Sequence, residues 1–242
     1  MNLAIDLGNS RVKFGFFSEN QLERSFTVDH APTAEDMREL QENFFDPARR
    51  VISSSVIQDR FAWLHDLIGD RNHLVVSESI PLPFMMSYKT PHTLGHDRIA
   101  LAAAAATLFP QQDVLVLDAG TCLTLDFVTS HGVYMGGAIS PGLKMRFRAL
   151  HEGTAGLPLV EFSPHVELTG STTRDSILSG VVRGMAFEID GSVSAYQSQY
   201  PEVKVVLTGG DASFLGGFLK STIFARPDFL LSGLNAILKY NE

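Results

Sequence analysis

The sequence predicts an α/β fold in two halves, each a small β-meander followed by alternating helix and strand. Three observations carry that expectation. A strand–turn–strand phrase occurs twice: Asn2-Leu3-Ala4-Ile5 runs into Asp6-Leu7-Gly8-Asn9-Ser10, and Val114-Leu115-Val116-Leu117 runs into Asp118-Ala119-Gly120-Thr121. Each time a short apolar, β-prone run delivers an aspartate and a glycine, then a second β-prone run leaves the turn. No Ser/Gly/Pro-rich tract separates the halves, residues 1–109 and 110–242, so a tight interface between them is expected.

The elements follow in order. Residues 3–6, 12–17 and 25–28 read as strands, and Gly8-Asn9-Ser10 closes the first turn because these residues tolerate left-handed backbone. A helix is expected over 33–43, with acidic residues in its first turn complementing the helix dipole. A strand at 50–54, a helix at 60–68 and a strand at 73–76 come next, before Pro81-Leu82-Pro83 and Pro91 break regular structure. A helix over 97–108 leads into strands at 114–117, 122–128 and 133–138, with Ser130-His131-Gly132 as a turn. Pro141 is expected to open a helix, as proline does at a first helical position. A long helix over 173–199, a strand over 203–207, and helices near 213–220 and 229–240 complete the chain.

Composition narrows the function classes. Hydrophobic residues make up 45% of the 242 and charged ones 19%, ordinary globular usage that excludes disorder as the default. A net charge of −8 argues against nucleic acid as an electrostatic partner. The apolar run from Ile99 to Pro110 is far below the ~20 residues needed to span a bilayer. No basic segment precedes an apolar one at the start, so no secretory signal and no membrane association are expected. A lone Cys122 allows no internal disulfide, and the expected location is the cytoplasm.

Several segments offer chemistry. In the first turn, backbone N–H groups around Gly8 can cradle phosphate oxygens, Lys13 can reach the same anion, and Asp6 can hold magnesium. The second turn repeats the solution with Asp118 as a cation ligand and Thr121 as a hydroxyl donor. Facing each other across a cleft, two such turns would hold a polyphosphate and its metal. A bland alternative stands beside each: for the first, a hairpin whose aspartate bonds its own turn, and for the second, an internally duplicated fold whose turns resemble each other for folding reasons. Thr208-Gly209-Gly210-Asp211 would let an adenine lie close to the backbone, or be a strand-to-helix turn with Asp211 as N-cap. Asp97 and Arg98 stand at the start of an alanine-rich helix, where the aspartate can accept a hydroxyl proton and the arginine can hold a carboxylate or phosphate. His92 and His96 have H-x-x-x-H spacing, but Pro91 and Gly95 point to a loop, and a zinc role is not favoured. Gly136-Gly137-Ala138-Ile139-Ser140-Pro141-Gly142 joins a strand to a helix, either for anion approach or as a close-packed corner.

Taken together, the ordered set resembles the acetate and sugar kinase, heat-shock chaperone and actin superfamily, and within it the type III pantothenate kinases. The set is the Asp6–Lys13 turn, Tyr88 before Gly95-His96-Asp97-Arg98, Asp118-Ala119-Gly120-Thr121, Gly136 to Leu143, Thr173 with Ile177 and Ser179-Gly180, and Thr208-Gly209-Gly210-Asp211. The resemblance implies two ribonuclease-H-like (actin-like ATPase) halves with mixed sheets flanked by helices and ATP in a cleft between them. It implies phosphorylation of pantothenate by ATP to 4′-phosphopantothenate, the first step of coenzyme A biosynthesis. Asp6, Leu7, Gly8, Asn9, Ser10, Arg11, Val12 and Lys13 would bind ATP phosphates, with Asp6 near Mg2+, and Thr121 would touch ATP. Tyr88, Gly95, His96, Asp97 and Arg98 would bind pantothenate, with Asp97 as its proton acceptor. Asp118 would bind a monovalent cation (K+ or NH4+), and Thr173 would contact pantothenate from the neighbouring subunit of a homodimer. Thr90, Cys122, Leu123 and Thr172 depart from the family pattern without removing a group that has an assigned catalytic role.

Two other readings remain open at this point. One is a non-catalytic nucleotide-binding accessory factor of the same fold, which would bind ATP without turnover. The other is a kinase for another small hydroxy acid or sugar, which a substrate panel would reveal.

Overall fold

A computed structural model describes residues 1–8, 11–29, 31–55 and 61–242 of the chain. It separates into two compact units, residues 1–111 with 128–135 and 228–242, and residues 112–127 with 136–227.

The first unit is organised on a five-stranded sheet of order β3-β2-β1-β4-β5, made of β1 (Asn2–Leu7), β2 (Val12–Ser18), β3 (Gln21–Val28), β4 (Arg50–Ser53) and β5 (Asn72–Val75). β1, β2 and β3 form an antiparallel meander, while β4 lies parallel to β1 and β5 parallel to β4. All six β1 residues are buried, as a central strand covered on both faces requires. Helix α1 (Ala34–Leu40) starts where a capping box fixes it: Thr33 and Asp36 bond reciprocally to each other's backbone N–H, a device worth about 1 kcal/mol. A wider, π-helical turn carries it on to Phe45. That turn delivers Phe44 and Phe45 to Phe14 of β2, with ring centroids 6.4 and 6.1 Å apart. Helix α2 (Trp63–Ile68) buries Leu64, Leu67 and Ile68 in the same core. The expected helix start at Arg60 falls outside the described residues.

Helix α3 (His96–Leu108) is buried along its alanine-rich run, Ala100 and Ala102 to Ala105 included. Such a surface admits another backbone at close range. Across it lies the C-terminal helix, here labelled α8 (Phe229–Tyr240), whose Gly233 sits so near α3 that a β-carbon there would collide with the Ala100 carbonyl oxygen. The Gly233→Ala variant should therefore unfold at lower urea concentration, losing about 1–3 kcal/mol because the two helix backbones must part. Asn235 of α8 accepts a hydrogen bond from buried Asn2 at 3.0 Å, a further tie from the end of the chain to its first strand.

The second unit holds β7 (Val114–Ala119), β8 (Cys122–Val128), β9 (Val133–Pro141), β10 (Lys204–Thr208) and β11 (Phe224–Ala225). The sheet order is β11-β10-β7-β8-β9-β6, with β10 parallel to both β7 and β11. The two-residue β6 (Met85–Met86) pairs with Val133 and Tyr134 of β9, residues grouped with the first unit. β6 and β11 are too short to show alternation, and nothing in the sequence announced them. Helix α4 (Leu143–Glu152) follows β9, and α5 (Thr173–Leu178) continues through a π-helical turn into α6 (Gly184–Gln199), the long helix expected over 173–199. Leu115, Leu117, Leu123, Leu125, Ile189 and Val193 belong to this unit's core.

Two local readings change. Pro141 does not open a helix: β9 runs on through Gly136–Gly137 to Pro141, and Gly142 is the N-cap of α4. The reason is close strand approach, since a β-carbon on Gly137 would collide with the Leu125 carbonyl of β8. The helix expected over 213–220 shortens to α7 (Ala212–Gly216), ended by the adjacent Gly216 and Gly217.

Candidate active site

The first glycine turn is the tip of the β1–β2 hairpin. In that ladder Asp6 stands opposite Lys13 and Leu7 opposite Val12, and opposite residues share a face of the sheet. Asp6 is buried, only 8% exposed. Burial raises its carboxyl from 3.8 to about 6; the Lys13 charge pulls it back, the Asp97 charge pushes it up, and a hydrogen bond with Ser54 lowers it. The Leu7 N–H donates to the Ser54 hydroxyl at 2.9 Å. Arg11, past the turn, is exposed, its Nε 3.5 Å from Asp29. Asn9 and Ser10, two of the expected phosphate contacts, lie outside the described residues.

The charge of Asp97, from a distant part of the sequence, acts on Asp6. Gly95 is the N-cap of α3, His96 its first residue, and Asp97 stands in the first turn, where a negative charge is favoured. His96 is thus helical rather than part of the expected loop, while His92 sits in a single 3₁₀ turn, Pro91–Thr93. The Asp97 side chain is exposed, and its Oδ1 accepts the Arg98 N–H at 2.8 Å. A β-carbon on Gly95 would collide with that same oxygen. Arg98 is 5% exposed, with its guanidinium carbon 5.8 Å from the centre of the Tyr88 ring, a cation–π arrangement. Tyr88 in turn lies 6.0 Å from the Tyr134 ring. A shallow depression bounded by Ser87, Tyr88, Lys89, Thr90 and Met135 opens beside these residues. The first unit thus brings together Asp6, Lys13 and Asp97, and joins Arg98 to Tyr88.

The second glycine turn has its own surroundings. Gly120 closes it with an N–H bond to the Cys122 carbonyl at 2.9 Å, and Thr121 is exposed beyond it. Asp118 pairs in register with Thr208 of β10. Gly209, next in the chain, has φ +96°, and a β-carbon there would collide with both the Ala119 carbonyl and Asp118 Oδ1. Only glycine serves at that position. The Asp211 N–H donates to the Ala119 carbonyl at 2.9 Å, tying the two turns of this unit together. Asp211 makes no side-chain cap on α7; its half-buried carboxyl is raised by burial and lowered by Lys144 of α4. Lys144 belongs to none of the sequence motifs, and its only signal was its place just after the Gly136–Gly142 run. Thr173 is the exposed first residue of α5, which Thr172 caps through the Asp175 N–H at 3.1 Å.

Among the described residues no three His, Cys, Asp or Glu side chains gather as a metal-holding group. The side-chain donors at both glycine turns are carboxylate oxygens. The buried Asp6 carboxylate, destabilised by burial and by the Asp97 charge, suits a hard divalent cation that keeps most of its waters. Asp118, among backbone carbonyls of its turn, offers the oxygen donors that a monovalent cation takes. Among the described residues no helix is long and apolar enough to cross a membrane.

Comparison with known proteins gives a consistent answer. The family model for type III pantothenate kinases matches residues 2–195. The type III pantothenate kinase of Christiangramia forsetii is 44% identical over 243 aligned positions, covering 100% of this chain and 99% of its own. That of Cytophaga hutchinsonii is 43% identical and covers 100% of both chains. The fold is shared more widely. A conserved Campylobacter jejuni protein assigned to the Baf family of transcriptional activators superposes with TM-score 0.62 at 22% identity, covering 99% of this chain and 98% of its own. Component A of the (R)-2-hydroxyglutaryl-CoA dehydratase of Acidaminococcus fermentans does so with TM-score 0.55 at 14% identity, covering 100% and 99%. Two mixed sheets flanked by helices are the α/β architecture expected of actin-like ATPases. The chain belongs to the type III pantothenate kinase family.

Proposed function

We propose that Asp97 takes the proton from the primary hydroxyl of pantothenate as that oxygen receives the γ-phosphoryl group of ATP. The overall reaction is that of the family, ATP-dependent formation of 4′-phosphopantothenate in coenzyme A biosynthesis. One observation carries the assignment of Asp97. Its exposed carboxylate stands at the head of α3, close enough to the Asp6–Lys13 pair for the two carboxylates to repel. A carboxylate beside a phosphate-binding turn is placed for general-base work, whereas buried Asp6 is placed for a cation.

The remaining roles are those that the family resemblance implies. Leu7 to Lys13 hold ATP phosphates through backbone N–H groups and the Lys13 ammonium. Tyr88, Gly95, His96 and Arg98 hold pantothenate, the arginine matching its carboxylate. Thr121 touches ATP, and Asp118 holds K+ or NH4+. Asp6 holds Mg2+, which would supply charge neutralisation on the phosphates. Thr173 reaches pantothenate of a neighbouring subunit, and the assembly is a homodimer in the cytoplasm. The exposed Phe187 on the same long helical run supports that assembly; sedimentation as a monomer at micromolar concentration would contradict it.

Gly95→Ala should cut turnover by about 10²-fold without removing any chemical group, because the added methyl swings the Asp97 carboxylate aside. The wider reading is tested by ADP release from the purified chain with Mg-ATP and K+, comparing pantothenate with other hydroxy acids and hexoses. Preference for pantothenate supports it. ATP binding without release of ADP would favour an accessory factor, and preference for a hexose would favour a sugar kinase.

A further inference from the structure

The end of β4 holds polar groups that the proposed reaction leaves unused. Ser53 is 1% exposed and Ser54 4%. β1 and β4 pair in parallel from Asn2↔Arg50 to Ile5↔Ser53, and there the strand pairing stops. The Ser54 N–H still reaches the Ile5 carbonyl at 2.9 Å. The next donor of β1, the Leu7 N–H, finds the Ser54 hydroxyl at 2.9 Å. The side chain thus takes over the accepting role of a backbone carbonyl, just where β1 leaves the sheet for its glycine turn. Ser54 also acts on the Asp6 carboxyl, favouring its charged form. One buried hydroxyl therefore holds the backbone that enters the turn directly after Asp6.

Ser54 is itself braced. The Ser53 hydroxyl donates to the Ser55 carbonyl at 2.8 Å, which folds the chain back around Ser54. His73 Nε2 lies 2.9 Å from the Ser53 oxygen. The Ser53 proton is committed to the carbonyl, so the histidine is the donor in this pair and its Nε2 carries hydrogen. A nucleophilic Ser–His dyad would need the opposite direction, and Ser53 has no exposed surface for a substrate. The Val76 N–H closes the arrangement on the Ser53 carbonyl at 3.0 Å.

We propose that Ser54 is a positioning residue for ATP in this chain, setting Asp6 and the Leu7–Gly8 backbone, with Ser53 and His73 holding it in place. The proposal rests on the reading of the Asp6–Lys13 turn as the phosphate site. Both serines are buried, so each acts through that turn.

The test uses the full chain and two readouts, ATP affinity by calorimetry without pantothenate and steady-state kinetics with both substrates. Wild-type turnover of pantothenate checks the underlying reading on its own. Ser54→Ala should weaken ATP binding and raise KM for ATP by about 10-fold or more, while KM for pantothenate stays within about twofold. His73→Ala should move the same quantities in the same direction by a smaller factor, about threefold. Circular dichroism establishes that each variant is folded. A folded Ser54→Ala variant with wild-type ATP affinity overturns the proposal, as does an equal loss toward both substrates. If Ser54→Ala does not fold, His73→Ala decides: selective loss toward ATP supports the proposal, and unchanged ATP affinity overturns it.

Discussion

Replacing Asp97 with asparagine should lower kcat for pantothenate phosphorylation by about 10²–10⁴-fold while ATP affinity stays within a few-fold. Asparagine keeps the shape and an acceptor oxygen for the Arg98 N–H, which now binds Asp97 Oδ1 at 2.8 Å. What it loses is the capacity to take a proton. ATP affinity should survive because the phosphate contacts are proposed to belong to the Leu7–Lys13 turn. It should even improve slightly, since the variant removes a negative charge that acts on Asp6. Asp97→Glu provides a second reading: a proton acceptor is present but displaced by a methylene, so partial activity is expected. Steady-state kinetics together with ATP titration separates the two effects. An Asp97→Asn variant that turns over like the wild type removes Asp97 from the chemistry.

Replacing Asp6 with asparagine should have two opposite consequences, a loss of activity and a gain of stability. The sign follows from linkage. The Asp6 carboxyl binds its proton more tightly in the folded chain, at about 6, than at the ordinary value of 3.8. Folding is therefore favoured by this group at pH below about 4, and that contribution is lost as pH rises through about 6. Above pH 6 the folded chain carries an ionised carboxylate in a site that disfavours it, at a cost of about 3 kcal/mol. Asp6→Asn removes the charge. In the absence of nucleotide and divalent cation it should melt above the wild type at pH 7–8, and the gap should close toward pH 4. Thermal denaturation across that range measures it. Added Mg-ATP should raise the wild-type melting temperature more than the variant's. A variant less stable than wild type at pH 7.5 would mean that the Lys13 and Ser54 interactions outweigh burial. Higher stability together with lost activity would mark the position as one where stability is given up for function.

Much of the fold could be read from residue patterns because its determinants are local. β8 and α8 have the expected bounds, and the hairpin joining β1 and β2 was marked by Gly8 between two apolar runs. The register that sets Asp6 opposite Lys13 depends only on that turn. The misreadings arose where tertiary contacts override local preference. Pro141 stayed in a strand because Gly137 lets β9 lie tight on β8. The association of α8 with α3 depends on the fit of Gly233 to the Ala100 backbone, which no window of sequence contains.

The site divides along the same line. Its motifs were visible as glycine-bearing turns and an aspartate–arginine pair, and resemblance supplied their roles. The electrostatic coupling of Asp6 to Asp97 was not visible, because it depends on how α3 is placed against the first sheet. Ser54 was hidden for a different reason. A serine ending an apolar strand is ordinary, and its meaning appears only when the Leu7 N–H is found without a strand partner and bonded to it.

The proposed reaction is transfer of one phosphoryl group to the primary hydroxyl of pantothenate with Asp97 receiving the proton. It is tested most directly by identifying the product. Purified wild-type and Asp97→Asn chains are incubated side by side with pantothenate, Mg-ATP and K+, and the products are read by mass spectrometry and phosphorus NMR. The wild type should yield 4′-phosphopantothenate, and Asp97→Asn at most trace amounts in the same time. No phosphorylated pantothenate from the folded wild type, or equal amounts from both chains, would contradict it.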